Sequence, residues 1–215
     1  MYLPNKRSLT LLGDFIMNTY TVMPINGQPD WEKIPSLAVD QVLWLPDIGI
    51  RMTQQVCYDA DKLYVHQRAV EAHIRAEYTD LLSQVCEDSC MEFFLSPEGS
   101  GRYFNFEWNL NGCLCLGFRT DRKNAARLQL KNHKELFGFR GNKTPDGWEI
   151  FYEIPASFVQ LFIPDFSLQP GKTLRANCYK CGDKTPEPHF LSWNPVTAQS
   201  PDFHRPQDFG SMIFG

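Results

Sequence analysis

The 215-residue sequence lacks two features that would indicate broad classes of function. It contains no run of 18 apolar residues, so no transmembrane helix is predicted. It has no basic excess either, since 21 Lys and Arg stand against 25 Asp and Glu for a net charge of −4. Without a positive field the chain is poorly suited to nucleic acid. We therefore expect neither a membrane nor a nucleic acid as partner.

A recognisable export signal is also missing. Lys6 and Arg7 precede the apolar stretch at 11–16, but Asp14 interrupts that stretch and no small-x-small cleavage site follows. This favours a cytoplasmic location over an extracellular one. Residues 1–16 share little with the patterned sequence after them and are expected to be a disordered extension, which makes Met17 an alternative start. Residues 17–215 are predicted to form one domain.

The seven cysteines form an odd number in a chain without an export signal, so reduced thiols are expected. Cys178-x2-Cys181 and Cys86-x3-Cys90 could be offered as two halves of a zinc site. However, the first pair falls in and after a predicted strand, and Cys113-x-Cys115 alternates with leucines as buried thiols do. We therefore expect buried strand thiols and no zinc.

The pattern that dominates the sequence is alternation with a period of two. Aromatic residues make up 13% of the chain, including 16 Phe and 8 Tyr, which favours strands. In residues 102–110, Phe104, Phe106 and Trp108 share one face, and residues 147–154 and 174–179 alternate in the same way. Residues 56–65 read as a hairpin.

Helix signals are short and confined to residues 35–42 and 156–161, and residues 66–78 fit either a helix or a long strand. The predicted fold is therefore all-β: an antiparallel β-sandwich, jelly-roll-like, with short peripheral helices.

Polar residues on the opposite strand faces, together with an aromatic and histidine-rich C-terminal stretch, suggest a ligand site. Amide, carboxylate and guanidinium groups recognise hydroxyls, and a flat aromatic ring packs on the apolar face of a sugar. A polar solvent face is the alternative interpretation, with Glu107 and Arg175 as an ordinary cross-strand pair. The predicted ligand-binding residues are Glu92, Tyr103, Asn105, Glu107, Arg175, Asn177, Tyr179, His189, Trp193 and His204.

Two further chemistries remain open at this point. Glu92 and Glu107 could be the acid and base of a hydrolase acting on glycosyl bonds. Asp59, Asp61 and Asp88 are oxygen donors that could bind calcium, although Asp59-x-Asp61 is also typical of a hairpin turn. The sequence contains no Gly-x-Ser-x-Gly, Walker or His-Glu-x-x-His motif, so other common enzyme classes are not indicated.

Three C-terminal motifs carry a resemblance to a known family: Tyr-Lys-Cys-Gly-Asp at 179–183, Ser-Trp-Asn-Pro at 192–195 and Phe-His-Arg-Pro at 203–206. With the patterns before them, they resemble carbohydrate-binding module family 9, in particular a bacterial branch of stand-alone proteins. The resemblance covers about 190 residues from Met17 onward. It implies a jelly-roll sandwich that binds carbohydrate, as in family members attached to xylanases and linked to xylan catabolism, and it implies structural calcium.

The resemblance also implies roles for individual residues. Glu92 matches the strand glutamate of an Asp-Ser-x-x-Glu motif and would bind the ligand by hydrogen bonds. Trp193 resembles one of two tryptophans that sandwich the sugar. The second is not found just before Asp88, where Val85 and Cys86 stand, so Tyr103 or Phe203 would replace it.

The function predicted from the sequence is non-catalytic carbohydrate binding, with the glycan and the oligomeric state left open. One alternative is a glycoside hydrolase-type enzyme that uses Glu or His as acid and base. The other is a protein-interaction domain whose sugar site has decayed.

Overall fold

The computed structural model describes residues 11, 12 and 15–215, with side chains from residue 16 onward. Most regular structure in this part of the chain is β-strand. The strands are β1 (Leu11–Leu12), β2 (Phe15–Ile16), β3 (Thr19–Pro24), β4 (Ser36–Val39), β5 (Gln41–Val42), β6 (Arg51–Tyr58), β7 (Lys62–Val70), β8 (Cys90–Ser96), β9 (Tyr103–Trp108), β10 (Leu114–Arg119), β11 (Ala125–Arg127), β12 (Arg140–Thr144), β13 (Gly147–Pro155), β14 (Thr173–Cys181), β15 (Phe190–Ser192) and β16 (Gly210–Phe214).

The helices are short. Two are α-helical, α1 (His133–Leu136) and α2 (Ala156–Gln160), and two 3₁₀ turns span Val85–Glu87 and Pro206–Asp208. Helix α2 falls within the predicted helix at 156–161. Among the described residues, no helix is long and apolar enough to cross a bilayer.

Fourteen strands form one curled sheet with the main order β11-β10-β9-β8-β14-β16-β3-β6-β7-β13-β12. The prediction of a purely antiparallel sheet is wrong, because β3 pairs in parallel with both β16 and β6. These partners are far apart in sequence, so no hairpin turn fixes their relative direction and local patterns could not reveal it. The sandwich and jelly-roll assignments stay predictions.

The alternation read from the sequence correctly identified the core. Phe104, Phe106 and Trp108 of β9 are fully buried, and their hydrophobic cluster also includes Trp148 of β13 and Leu174 of β14. The sheet curls so that these strands pack against the same core. The side chains at alternate positions of β8, β9, β10 and β14 consequently project to the other face, where the site lies.

Two local predictions have opposite outcomes. The hairpin around residues 56–65 is confirmed by the antiparallel pair β6–β7, and the ambiguous segment after it continues as strand to Val70. The helix predicted at 35–42 is wrong, since β4 pairs with β6 and β5 pairs with β15. In β4, Leu37 and Val39 are buried while Ser36 and Ala38 are exposed, so the period is two.

The extension at 1–16, expected to be disordered, lies largely outside the described residues. Within it, Leu11–Leu12 and Phe15–Ile16 are described and pair as antiparallel strands.

Candidate functional site

A row of polar side chains crosses four strands on the outer face of the sheet. Tyr179 lies opposite Glu92, Glu92 opposite Glu107, and Glu107 opposite Cys115 in the registers of β14, β8, β9 and β10. Because neighbours in register share a face, Glu92 and Glu107 form one floor. Only 3% of Glu92 and 7% of Glu107 is exposed to solvent.

This floor is the base of a cleft of about 310 Å³. The loops that follow β5 and β15 supply one wall, and β10 and β11 with the turn between them supply the other. Besides the two glutamates, the lining includes Trp44, Phe190, Phe203, His204, Arg119, Arg122, Arg127, Asp183 and three cysteines.

Trp44 is the largest aromatic surface of the cleft. Its ring centroid lies 5.4 Å from that of Phe190 and 5.5 Å from that of Phe203. The backbone at Trp44 has φ of 57°, a left-handed conformation that costs a bulky residue about 1–2 kcal/mol. The indole Nε1 donates a hydrogen bond of 2.8 Å to the carbonyl oxygen of Ala198, which fixes the ring in this unfavoured turn. Strain retained in this way is typical of binding sites.

Arg119 is positioned by a relay through Asn105. Its Nε donates to Asn105 Oδ1 at 2.7 Å, and Asn105 Nδ2 donates to Glu107 Oε1 at 2.9 Å. Glycine at position 117 leaves room for this relay, because a Cβ there would lie 2.6 Å from Asn105 Oδ1. Nη1 of Arg119 also donates to the Arg122 carbonyl oxygen at 3.2 Å, so the guanidinium is held beside the floor as part of the cleft lining.

The two floor carboxyl groups resist ionisation. Burial, reinforced by the neighbouring Glu107 charge, raises the pKa of Glu92 well above its ordinary value. Burial also raises the pKa of Glu107, although Arg119 and Arg127 partly oppose this rise. Like charges side by side in a dry site disfavour double ionisation. The floor can therefore donate as well as accept hydrogen bonds.

His204 lines the cleft, and the buried Tyr103 supports it from behind. Tyr103 is buried, and its hydroxyl lies 3.1 Å from His204 Nδ1. The imidazole stacks on Phe94 at a centroid distance of 5.0 Å. Burial, with the charges of Arg119 and Arg122, lowers the pKa of His204 to about 3. The ring is thus neutral at physiological pH.

Three predicted site residues serve the scaffold next to the cleft. Arg175 Nε donates to the carbonyl oxygen of Phe209 at 3.0 Å, and Asn177 Oδ1 accepts from the backbone N–H of Asn194 at 2.9 Å. Tyr179 lies under the wall, with its ring stacked on Phe203 at 4.1 Å and its hydroxyl 3.1 Å from the Phe203 carbonyl oxygen. None of the three lines the cleft.

Two more predicted residues lie elsewhere. His189 Nε2 is 2.7 Å from the Nζ of Lys180, which in turn lies 3.1 Å from Glu71. All three side chains are buried in a network behind the cleft. Trp193 is 5% exposed and belongs to the main core cluster. A direct ligand contact by either residue stays a prediction.

Two of the three carboxylates proposed for calcium, those of Asp59 and Asp88, are already occupied by hydrogen-bond donors. Asp59 Oδ1 accepts from the backbone N–H groups of Asp61 and Lys62, and Oδ2 accepts from the Tyr64 hydroxyl. Asp88 is buried and binds Arg75, the backbone at 77 and 78, and Asn109. As arranged, these side chains do not fit a calcium site, which needs several free oxygens directed at one point.

The structure brings together Glu92, Glu107, Tyr103, Asn105 and His204 from the sequence prediction and adds residues that it missed. Trp44 and Arg119 are the most important additions. The only signal for Trp44 was an aromatic residue within Leu-Trp-Leu-Pro, a context equally common in cores.

Comparison with known protein families gives a match that spans most of the chain. The model of carbohydrate-binding family 9 matches residues 26–214. The chain belongs to carbohydrate-binding family 9. No curated protein sequence matches this family 9 chain significantly.

Solved structures similar to this family 9 protein include a candidate carbohydrate-binding protein from Bacteroides uniformis ATCC 8492. It is 28% identical, with a TM-score of 0.80, over 92% of this chain and 99% of that chain. A family 9 module from Caldicellulosiruptor kristjanssonii in complex with cellotriose is 11% identical, with a TM-score of 0.66, over 92% and 93% of the two chains. A family 9 module from the same organism in complex with glucose is 12% identical, with a TM-score of 0.65, over 92% of this chain and 96% of that chain. At such low identity the Caldicellulosiruptor modules support the fold alone.

Proposed function

We propose that this family 9 protein binds a saccharide, without turnover, in the cleft between Trp44 and the Glu92–Glu107 floor. The observation that carries the proposal is the combination of an aromatic wall with buried polar groups in one cleft. Membership of carbohydrate-binding family 9 supports a sugar as the ligand class, and modules of the same fold are known in complex with glucose and with cellotriose.

The chemistry of the cleft suits a sugar ring. The face of Trp44 offers an apolar platform for the C–H groups of a pyranose, and a partly exposed aromatic of this kind needs no reorganisation to bind. Glu92 and Glu107 offer acceptors and, when protonated, donors for hydroxyl groups. Arg119 adds planar donors next to them. These interactions are weakly dependent on salt, unlike binding driven by net charge.

Binding is favoured over hydrolysis by the placement of the carboxyl groups. A glycoside hydrolase places its two carboxyl groups on either side of the scissile bond. Glu92 and Glu107 are instead cross-strand neighbours on the same floor. A ring lying on this floor would contact both groups from one side, which supports recognition.

Titration calorimetry with glucose, cellotriose and xylo-oligosaccharides tests the proposal, with product analysis after prolonged incubation. We expect saturable binding with no product. Trp44→Ala should weaken binding by roughly 1–3 kcal/mol, the loss expected for an aromatic anchor. The matched control is Trp31→Ala, since Trp31 is also half-buried but lies in a separate depression beside Arg140 and Phe151.

Three results would contradict the proposal. Release of shorter sugars would indicate a hydrolase. Equal affinity of wild type and Trp44→Ala for every sugar that binds would place the site outside this cleft. If a broad glycan panel gives no binding to wild type, the fold has kept the family architecture without its ligand.

A further inference from the structure

Two thiols and one carboxyl group meet at the floor of the cleft. Cys90 in β8 lies directly opposite Cys181 in β14, and Glu92 follows Cys90 by two residues on the same face. The Cys181 thiol donates to Glu92 Oε1 at 3.1 Å. The potential ligand atoms of Cys90, Glu92 and Cys181 all lie within 4.8 Å of one another.

This cluster takes one cysteine from each of the two pairs that the sequence presented. The other members do not join it: Cys178 projects into the main core, and Cys86 is not among the ligand atoms that lie within 4.8 Å of one another. The sequence predicts no zinc because the first pair falls in and after a strand and Cys113-x-Cys115 alternates with leucines. Spacing along the sequence cannot show that one member of each pair meets the other across a strand ladder.

The cluster consists of three acidic groups without a cationic partner at contact distance. All three residues are at least 97% buried, with exposures of 0%, 3% and 1%. Among the residues that the structure describes, Glu92 forms no ion pair with lysine, arginine or histidine. A buried, proton-bearing group of this kind gains most from a cation that replaces its protons.

The donor set selects the type of cation. Thiolates prefer soft or borderline metals, whereas calcium and magnesium require oxygen ligands. Zinc binds cysteine sulfur at about 2.3 Å and carboxylate oxygen at about 2.0–2.2 Å in a tetrahedral arrangement. Two sulfurs on one zinc ion are then about 3.8 Å apart, a separation within reach of the present cluster by small side-chain rotations.

We propose that Cys90, Glu92 and Cys181 form a zinc site with three protein ligands. Glu92 and Cys181 line the cleft while Cys90 lies beneath them. The fourth coordination position would therefore face the cleft and be filled by water or by an oxygen of a bound ligand. The site does not depend on sugar binding and can be tested without a sugar.

The test uses the full chain prepared under reducing conditions with a chelator, which is then removed. Zinc affinity is measured by competition with a chromophoric chelator. The number of protons released is measured by titration calorimetry in buffers of different ionisation enthalpy. We expect one zinc ion per chain, release of protons from the thiols, and a raised melting temperature. Cobalt in place of zinc should give the charge-transfer absorption of a thiolate complex.

The variants separate this site from adventitious binding. Cys181→Ala and Glu92→Gln should each weaken zinc binding by more than about 100-fold, because changes to supporting residues alone cost about 10–100-fold. Cys178→Ala is the matched control: it removes a buried thiol from the same strand on the opposite face and should leave zinc affinity unchanged.

Two outcomes would overturn the proposal. One is the absence of stoichiometric zinc in wild type, including the case in which Cys90 and Cys181 are found joined by a disulfide. The other is unchanged affinity in Glu92→Gln, a variant that keeps the side-chain shape and so remains informative even if the cysteine variants fold poorly.

Discussion

Glu92 in β8 lies directly opposite Glu107 in β9, so two buried carboxyl groups share the floor of the cleft. The pKa of each is raised by burial, and the pKa of Glu92 is raised further by the charge of Glu107. A fold that keeps such a pair sacrifices stability at neutral pH in order to hold hydrogen-bonding groups in a dry site.

The Glu107→Gln variant should therefore be more stable than wild type at pH 7. The unfolded chain ionises Glu107 near its ordinary pKa of 4.5, whereas the folded chain retains the proton to higher pH. The contribution of Glu107 to the free energy of unfolding is therefore fully present below pH 4.5 and is lost as the pH rises above 4.5. Glutamine keeps an oxygen that can accept the hydrogen bond from Asn105, and because it does not ionise its contribution to stability does not fall with rising pH.

Urea unfolding of both proteins at pH 4 and pH 7 measures the effect. The difference in unfolding free energy should be near zero at pH 4 and should favour the variant at pH 7. Glu32→Gln, at an exposed position outside the cleft, is the control and should change neither value. If the unfolding free energy of Glu107→Gln minus that of wild type is lower at pH 7 than at pH 4, the pKa of Glu107 is not raised in the folded protein.

His204 should make the protein lose stability in acid. The unfolded chain protonates this imidazole near pH 6.5, but the folded chain, with a pKa of about 3, does not. Stability from this group is complete above pH 6.5 and falls by about 1.4 kcal/mol per pH unit below it. His204→Phe preserves stacking on Phe94, and its free energy of unfolding should fall less steeply than that of wild type as the pH drops below 6.5.

His73→Phe is the control, since His73 is an exposed histidine with 63% of its side chain accessible. Between pH 4.5 and 6.5 the floor glutamates act in the opposite direction, so the measurement is the difference between variant and wild type at each pH. Parallel profiles of wild type and His204→Phe would show that the imidazole is protonated in the fold.

Substitution of Trp193 should affect the stability of the fold, whereas substitution of Trp44 should affect the affinity for sugar. Trp193 is in the main core, so Trp193→Ala should lower the free energy of unfolding by about 3–5 kcal/mol. Trp193→Phe, which keeps the fold's aromatic packing, should bind sugar like wild type. Loss of binding in a well-folded Trp193→Phe protein would restore the sandwiching role implied by the family resemblance.

The sequence predicts which strand residues face the core, but it does not predict which residues form the walls of the cleft. Alternation placed Phe106 and Trp108 inside and Glu107 outside, because period-two patterning is local. The family resemblance implies a sugar-sandwiching role for Trp193, but this residue directly follows β15, and its backbone N–H donates to the Cys178 carbonyl oxygen at 2.9 Å. Trp44 is held by Ala198, a partner 154 residues away that no local pattern identifies.

The buried network behind the cleft gives the last prediction. Lys180 is fully buried, with its Nζ 3.1 Å from Glu71 and 2.9 Å from the carbonyl oxygen of Cys181. Glu71 also accepts hydrogen bonds from the Ser89 hydroxyl at 2.6 Å and from the Trp148 indole at 2.8 Å. Lys180→Met would leave the Glu71 charge without its cation and should cost about 3–5 kcal/mol.

Pairing that change with Glu71→Gln distinguishes a charge effect from a packing effect. The double variant removes both charges and should recover a large part of the loss, because no ion is left unpaired. Denaturant unfolding of the four proteins at pH 7 gives the coupling energy. A double variant whose loss equals the sum of the two single losses would show that Lys180 and Glu71 stabilise the fold independently.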